Sequence, residues 1–161
     1  VIKPMNMMGG KEIYLINESD KNKVEIIKSS TNNYNRNIII QKYLKEIEKG
    51  DTRIIIYNGK VHENVLVRYP PKKDFRANLA YGGKYLVKKI NTKYLPHLKE
   101  IAVFLKCQRI YFAGVDMIGD YITEINITSP TGVRQIDNKN IGLNKLIADE
   151  FIKLLEKYYN G

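Results

Sequence analysis

Asn58-Gly59, set between the apolar run Arg53-Ile54-Ile55-Ile56-Tyr57 and the run from Lys60 to Arg68, constrains this chain more than any other local feature. Both residues tolerate the positive φ that a two-residue hairpin turn needs, and β-branched neighbours suit a buried strand. A second strand pair is expected at 110–118 and 121–127, around Gly119-Asp120. Shorter strands are expected at 1–4, 12–16 and 38–41, and a short helix at 23–29. Two longer helices show apolar positions at helical spacing: Leu95, Leu98, Ile101, Ala102 and Leu105 over 92–106, and Leu143, Leu146, Ile147, Phe151, Leu154 and Tyr158 over 141–159. Hairpins alternating with helices predict an α+β fold, mostly antiparallel sheets with packed helices. Residues 69–84, with Pro70-Pro71, Lys72-Lys73 and Gly82-Gly83, are too long and too polar for a simple connection and are expected to form a mobile loop. A length of 161 residues suits one domain with one sizeable core.

The net charge of +10 points towards anionic partners. The lysines are dispersed, however, and many stand beside glutamates, as in Lys45-Glu46-Ile47-Glu48-Lys49, so most belong to a solvated surface. A nucleic-acid-binding module would show a basic face with interleaved aromatics, and the tyrosines here are spread over strands and helices instead. No nucleic-acid partner is expected. No apolar run approaches the roughly 18 residues of a membrane span, so no membrane partner is expected either. The start carries no signal-peptide pattern, and a single cysteine, Cys107, permits no internal disulfide; both features fit a cytoplasmic location. Cys107 is expected to be a small buried hydrophobe, and His62 and His97 to be structural. The chain opens without methionine on a motif-bearing strand and reads as a piece of a longer protein.

Chemistry concentrates in Asp116, Glu124 and Asn126. Glu124 and Asn126 lie two apart on a strand, so they share a face, while Ile125 and Ile127 supply the other. Asp116 joins that face if the hairpin loop holds three residues; a strict two-residue turn at Gly119-Asp120 would turn it away. Two carboxylates and an amide oxygen make a hard-oxygen set suited to Mg²⁺, and the alternative is an ordinary solvated sheet face.

Gly114-Val115-Asp116-Met117-Ile118-Gly119-Asp120 and Thr123-Glu124-Ile125-Asn126-Ile127-Thr128-Ser129-Pro130-Thr131 strongly resemble the C-terminal signature of prokaryotic glutathione synthetases, members of the ATP-grasp superfamily. Upstream, Lys3-Pro4 with Met8-Gly9-Gly10 resembles the phosphate segment, Gln41-Lys42-Tyr43-Leu44 the adenine hinge, and Gly50-Asp51-Thr52-Arg53 the family's Gly-Asp-x-Arg element. Arg76-Ala77-Asn78-Leu79-Ala80 with Gly82-Gly83 resembles its Arg-x-Asn loop. Asn6 and Met7 depart from the family, which usually carries an acidic residue and a further glycine there.

The resemblance implies an ATP-grasp fold over residues 1–161, the C-terminal part of the enzyme without its N-terminal substrate domain. It also implies an ATP-dependent ligase that joins γ-L-glutamyl-L-cysteine to glycine through an acyl phosphate, with Mg²⁺, or Mn²⁺ in its place, as cofactor. The roles it implies are ATP binding by Lys3, Gly9, Gly10, Gln41, Lys42, Tyr43, Leu44 and Asp51; catalysis by Arg53, Arg68, Arg76 and Asn78; substrate contact by Ser129, Pro130 and Thr131; and metal ligation by Asp116, Glu124 and Asn126. Alone, this stretch is expected to be inactive as a ligase and to self-associate as a homo-oligomer over uncovered apolar surface. Another ATP-grasp ligase, acting on a peptide or protein end, is the nearest alternative.

Overall fold

The central strand β3 (Asp51–Tyr57) explains the architecture. Its residues 54–57 are all buried, which requires cover on both faces of the sheet. In the computed structural model, which describes residues 1–5, 11–71, 74–77, 82–138 and 141–160, helices supply that cover. Ile54 and Ile56 point to one face and pack with Val65, Val115 and with Leu98, Ala102 and Leu105 of α2 (Leu95–Cys107). Ile55 and Tyr57 point to the other, where Leu66, Ile136 of α3 (Val133–Asp137) and Leu143 of α4 (Leu143–Tyr159) complete a second core.

The large sheet runs β6 (Lys84–Lys89), β5 (Asn64–Tyr69), β3, β7 (Phe112–Ile118) and β8 (Tyr121–Asn126), with β4 (Lys60–Val61) pairing β3 off this path. Every pairing is antiparallel. The expected hairpin forms at Asn58-Gly59, with φ of 47° and 76° and Tyr57 opposite Lys60. Both φ values are positive, as a type I′ turn requires. A small second sheet pairs β1 (Ile2–Pro4) with β2 (Ile38–Ile40), and α1 (Lys23–Ser30) lies between them in sequence. Among the described residues no helix is long and apolar enough to cross a membrane.

Four expectations are corrected, and two elements were not foreseen. The strand at 12–16 shrinks to one bridge, Tyr14 with Ile2, because Glu12 turns the chain at φ 54°. The β7–β8 connection is not a three-residue loop. Ile118 pairs Tyr121 across a two-residue turn, and a bulge at Thr123 then shifts the register so that Asp116 still faces Glu124. The polar segment after β5 gives way at Lys84 to β6, a strand the sequence did not announce because its alternating Tyr85 and Val87 are diluted by lysines; residues 72–73 and 78–81 of the expected loop lie outside the described residues. Cys107 is exposed at the last turn of α2. On α4, Leu143 is buried, whereas Leu146 and Tyr158 are exposed. The turn at Ser129-Pro130-Thr131-Gly132 leads into a further short helix, α3, that the sequence did not announce.

Candidate active site

Position on the sheet decides which side chains meet. Arg53 of β3 stands directly opposite Asp116 of β7, and Asp116 directly opposite Glu124 of β8. Cross-strand partners point to the same face, so the three form one row across the sheet. One step along β3, Asp51 stands opposite Arg68 of β5. Residues 51 and 53 share a face by strand alternation, which brings two arginines and two aspartates together.

The contacts are direct and largely dry. Arg53 grips Asp116 with both ends of its fork, Nε to Oδ1 at 2.5 Å and Nη2 to Oδ2 at 2.8 Å. Its third nitrogen, Nη1, donates to the Thr131 carbonyl at 2.9 Å. Arg68 holds Asp51 in the same way, at 2.8 and 2.5 Å, and its Nη2 also lies 3.0 Å from Asp116 Oδ2. Arg53 and Asp116 are only 5% and 6% exposed. Burial alone would weaken the charge on Arg68, but its hydrogen bond to Asp51 and the Asp116 charge outweigh that and push its pKa upward.

Gly114 makes room for this packing. A Cβ there would lie 3.0 Å from Arg53 Cδ and from Pro130 Cβ, so a larger residue would press on the guanidinium. Sequence reasoning passed over this glycine. The signal was present: Gly114 and Asp116 share a strand face, and the neighbouring strand carries an arginine.

The second sheet closes on the row. Lys3 Nζ of β1 lies 3.5 Å from Glu124 Oε2. Because Thr123 is the bulged residue, its carbonyl is released from ladder bonding and accepts from Gln41 Nε2 at 3.1 Å. Asn126, on the Glu124 face, accepts from the backbone N–H groups of Thr128 and Ser129 through Oδ1, both at 3.2 Å, which fixes that oxygen's direction. The backbone groups of Lys42 and Tyr43 bond no other described residue, whereas Gln41 N is taken by the Val1 carbonyl and the Leu44 carbonyl by Ile47 N.

The sequence matches the family described as "Prokaryotic glutathione synthetase, ATP-grasp domain" over residues 1–141. Relatives named glutathione synthetase include one from Wigglesworthia glossinidia brevipalpis, 39% identical over 156 residues, covering 96% of this chain and 49% of the relative. One from Coxiella burnetii is 37% identical over 159 residues, covering 99% of this chain and 49% of the relative. One from Buchnera aphidicola subsp. Schizaphis graminum is 40% identical over 150 residues, covering 92% and 47%. The chain belongs to the prokaryotic glutathione synthetase ATP-grasp family. It spans about half the length of these curated relatives. The two antiparallel sheets and their helices are therefore an ATP-grasp fold, as the resemblance implied.

Within this glutathione synthetase fold, Lys3, Gln41, Asp51, Arg53, Arg68, Asp116, Glu124, Asn126, Pro130 and Thr131 gather around one sheet face. Ser129 adjoins through its N–H. Tyr43 and Arg76 line a cavity of about 930 Å³ with Ile47, Pro70, Asp74 and Phe75. There Tyr43 meets Phe75 edge to face at 6.2 Å, and Arg76 Nη2 lies 2.6 Å from Asp74. Gly9, Gly10 and Asn78 lie outside the described residues. Among the described residues no three His, Cys, Asp or Glu side chains converge, so a metal at the row would draw its third donor from the Asn126 amide. Two carboxylates and an amide oxygen remain a donor set that fits a hard divalent cation.

Proposed function

We propose that this chain carries the nucleotide, metal and acyl-phosphate side of a ligase that joins γ-L-glutamyl-L-cysteine to glycine while converting ATP to ADP and phosphate. The observation that carries the reading is the row Arg53–Asp116–Glu124 facing Lys3 from the second sheet. It sets fixed positive charge and hard oxygen donors side by side, the combination phosphoryl transfer needs.

In this reading the γ-phosphoryl group of ATP passes to the substrate carboxylate, giving an acyl phosphate and ADP. The glycine amine then attacks the acyl carbon, losing a proton, and phosphate leaves. The protein's contribution is position and charge compensation, so no side-chain nucleophile is needed. Lys3 would meet the phosphates as a point charge, and the backbones of Gly9 and Gly10 would approach them closely. Lys42 and Tyr43 would offer their unpaired backbone groups to adenine, with Gln41 and Leu44 holding the hinge. Arg53 and Arg68 would receive the transferred phosphoryl group, and Arg76 and Asn78 would cover it. Ser129, Pro130 and Thr131 would line the substrate end. Asp51, bonded to Arg68 by both oxygens, is better suited to aim that guanidinium than to contact ATP. Asp116, Glu124 and Asn126 would hold Mg²⁺, which when bound neutralises phosphate charge. The single cysteine fits a reducing compartment, which we take to be the cytoplasm.

The test is a coupled ADP assay with the whole protein that carries this chain, supplied with γ-glutamylcysteine and glycine. Glutathione formed in step with ADP supports the reading. ADP released only with a peptide or protein acceptor would replace it with another ATP-grasp ligase.

A further inference from the structure

The buried charge network is divided unevenly. Asp51 spends both oxygens on Arg68 alone. Asp116 is shared: both its oxygens meet Arg53, and one also meets Arg68. With two arginines and two aspartates the cluster is neutral as it stands. All three kinds of nitrogen on Arg53 are occupied, two positions by Asp116 and one by the Thr131 carbonyl. While Asp116 holds it, the Nε–Nη2 edge of Arg53 is closed to an anion, and only two of its five N–H donors remain. Yet Asp116 also stands opposite Glu124, where it can contribute to a hard-oxygen cation site.

One carboxylate therefore faces two competing demands. If it turns to a divalent cation, the arginines lose a negative partner and the buried cluster is left with an excess positive charge. Unpaired buried charge is costly, and an anion seated on the freed guanidinium forks would remove it. If no cation is present, the same carboxylate competes with any anion for those forks.

We infer that Asp116 is an exchangeable counter-ion: it blocks Arg53 and Arg68 when the site is empty and releases them for a phosphate-bearing group when a divalent cation takes the carboxylate. This rests on reading the two arginines as phosphate receivers. The linkage is reciprocal, so the arginines must also weaken cation binding to the empty site. Asp51 is then a positioning residue, keeping Arg68 in the network whichever partner Asp116 takes.

The experiment has two arms, both free of turnover and both on the whole protein. In the first, inorganic phosphate is titrated by calorimetry in EDTA. Asp116→Asn removes the competing carboxylate and should tighten phosphate roughly five- to a hundred-fold, the usual span of coupled sites. Asp120→Asn, which makes the same charge change on the exposed β7–β8 turn, should leave it unchanged. In the second, Mn²⁺ affinity without nucleotide is read by electron paramagnetic resonance. The double variant Asp51→Asn/Arg68→Gln removes one ion pair whole, leaving no orphan charge, and should tighten Mn²⁺ several-fold. This arm decides the matter if Asp116→Asn does not fold. Equal phosphate affinity in wild type and Asp116→Asn, or unchanged Mn²⁺ affinity in the double variant, overturns the exchange while sparing the phosphate-receiver reading. Phosphate that binds no form, with or without Mn²⁺, overturns both.

Discussion

Glu124 sits where three demands cross: it faces Asp116 across the hairpin, meets Lys3 from the other sheet, and shares its face with Asn126. Its removal should touch chemistry more than folding, because its side chain is half exposed, at 51%. If Glu124 holds the metal as proposed, Glu124→Gln in the whole protein should raise the Mg²⁺ requirement and lower kcat on the order of 10²–10³-fold, the loss of a charged ligand near transferring phosphate. Turnover against Mg²⁺ concentration, with circular dichroism alongside, checks both halves. Gly114 behaves oppositely. Gly114→Ala would push a methyl against Arg53 and Pro130, and overpacking of this kind costs about 1–3 kcal/mol. Urea unfolding should show the loss, and the metal-free phosphate affinity should change with it. The residue types of the site were legible in the sequence. That Arg68 is largely covered was not, because its cover depends on β3 delivering Asp51 and on β7, one strand further, delivering Asp116.

Among the elements, the Asn58-Gly59 hairpin was readable because its turn chemistry is local. The short helix α3 and strand β6 were not, since each is held by neighbours distant in sequence: Ile136 by the second core, and β6 by its full pairing with β5. The hairpin tip is itself tied to α4. Glu150 accepts from Lys60 Nζ and Asn58 Nδ2, both at 2.8 Å. The Lys60 contact, then Asn58, depresses its carboxyl from 4.5 to about 2. A depressed carboxyl stabilises the fold above its unfolded pKa and loses that effect as pH falls through the folded value. The stability gap between wild type and Glu150→Gln should therefore stay constant above about pH 5 and close between roughly pH 4.5 and 2. Chemical denaturation at a series of pH values checks this, and a gap that widens on acidification would refute the clamp.

For the whole molecule, the two sheets meet, among the described residues, through polar side-chain bridges that include Lys3 with Glu124 and Gln41 with Thr123. A nucleotide seated between them would add contacts to both. At one hundred times its dissociation constant a ligand stabilises by about 2.7 kcal/mol, so Mg²⁺ with ADP should raise Tm by several degrees, and EDTA should remove most of the gain. Differential scanning calorimetry reads both. The meeting also depends on how residues are counted along β8. With only the two-residue turn, Asp116 would face Thr123 and Glu124 would point at α2; the bulge restores the parity and hands a carbonyl to Gln41. The extra residue thus serves the register and the contact between the sheets at once, and removing it separates the two. Deleting Thr123 removes the bulge together with its residue, so Asp116 stays opposite Glu124 in regular pairing; Mn²⁺ titration should find the metal affinity kept, while the carbonyl that Gln41 uses is lost. That deletion leaves the small sheet without its anchor, so a protein that keeps metal binding should be loose between its halves.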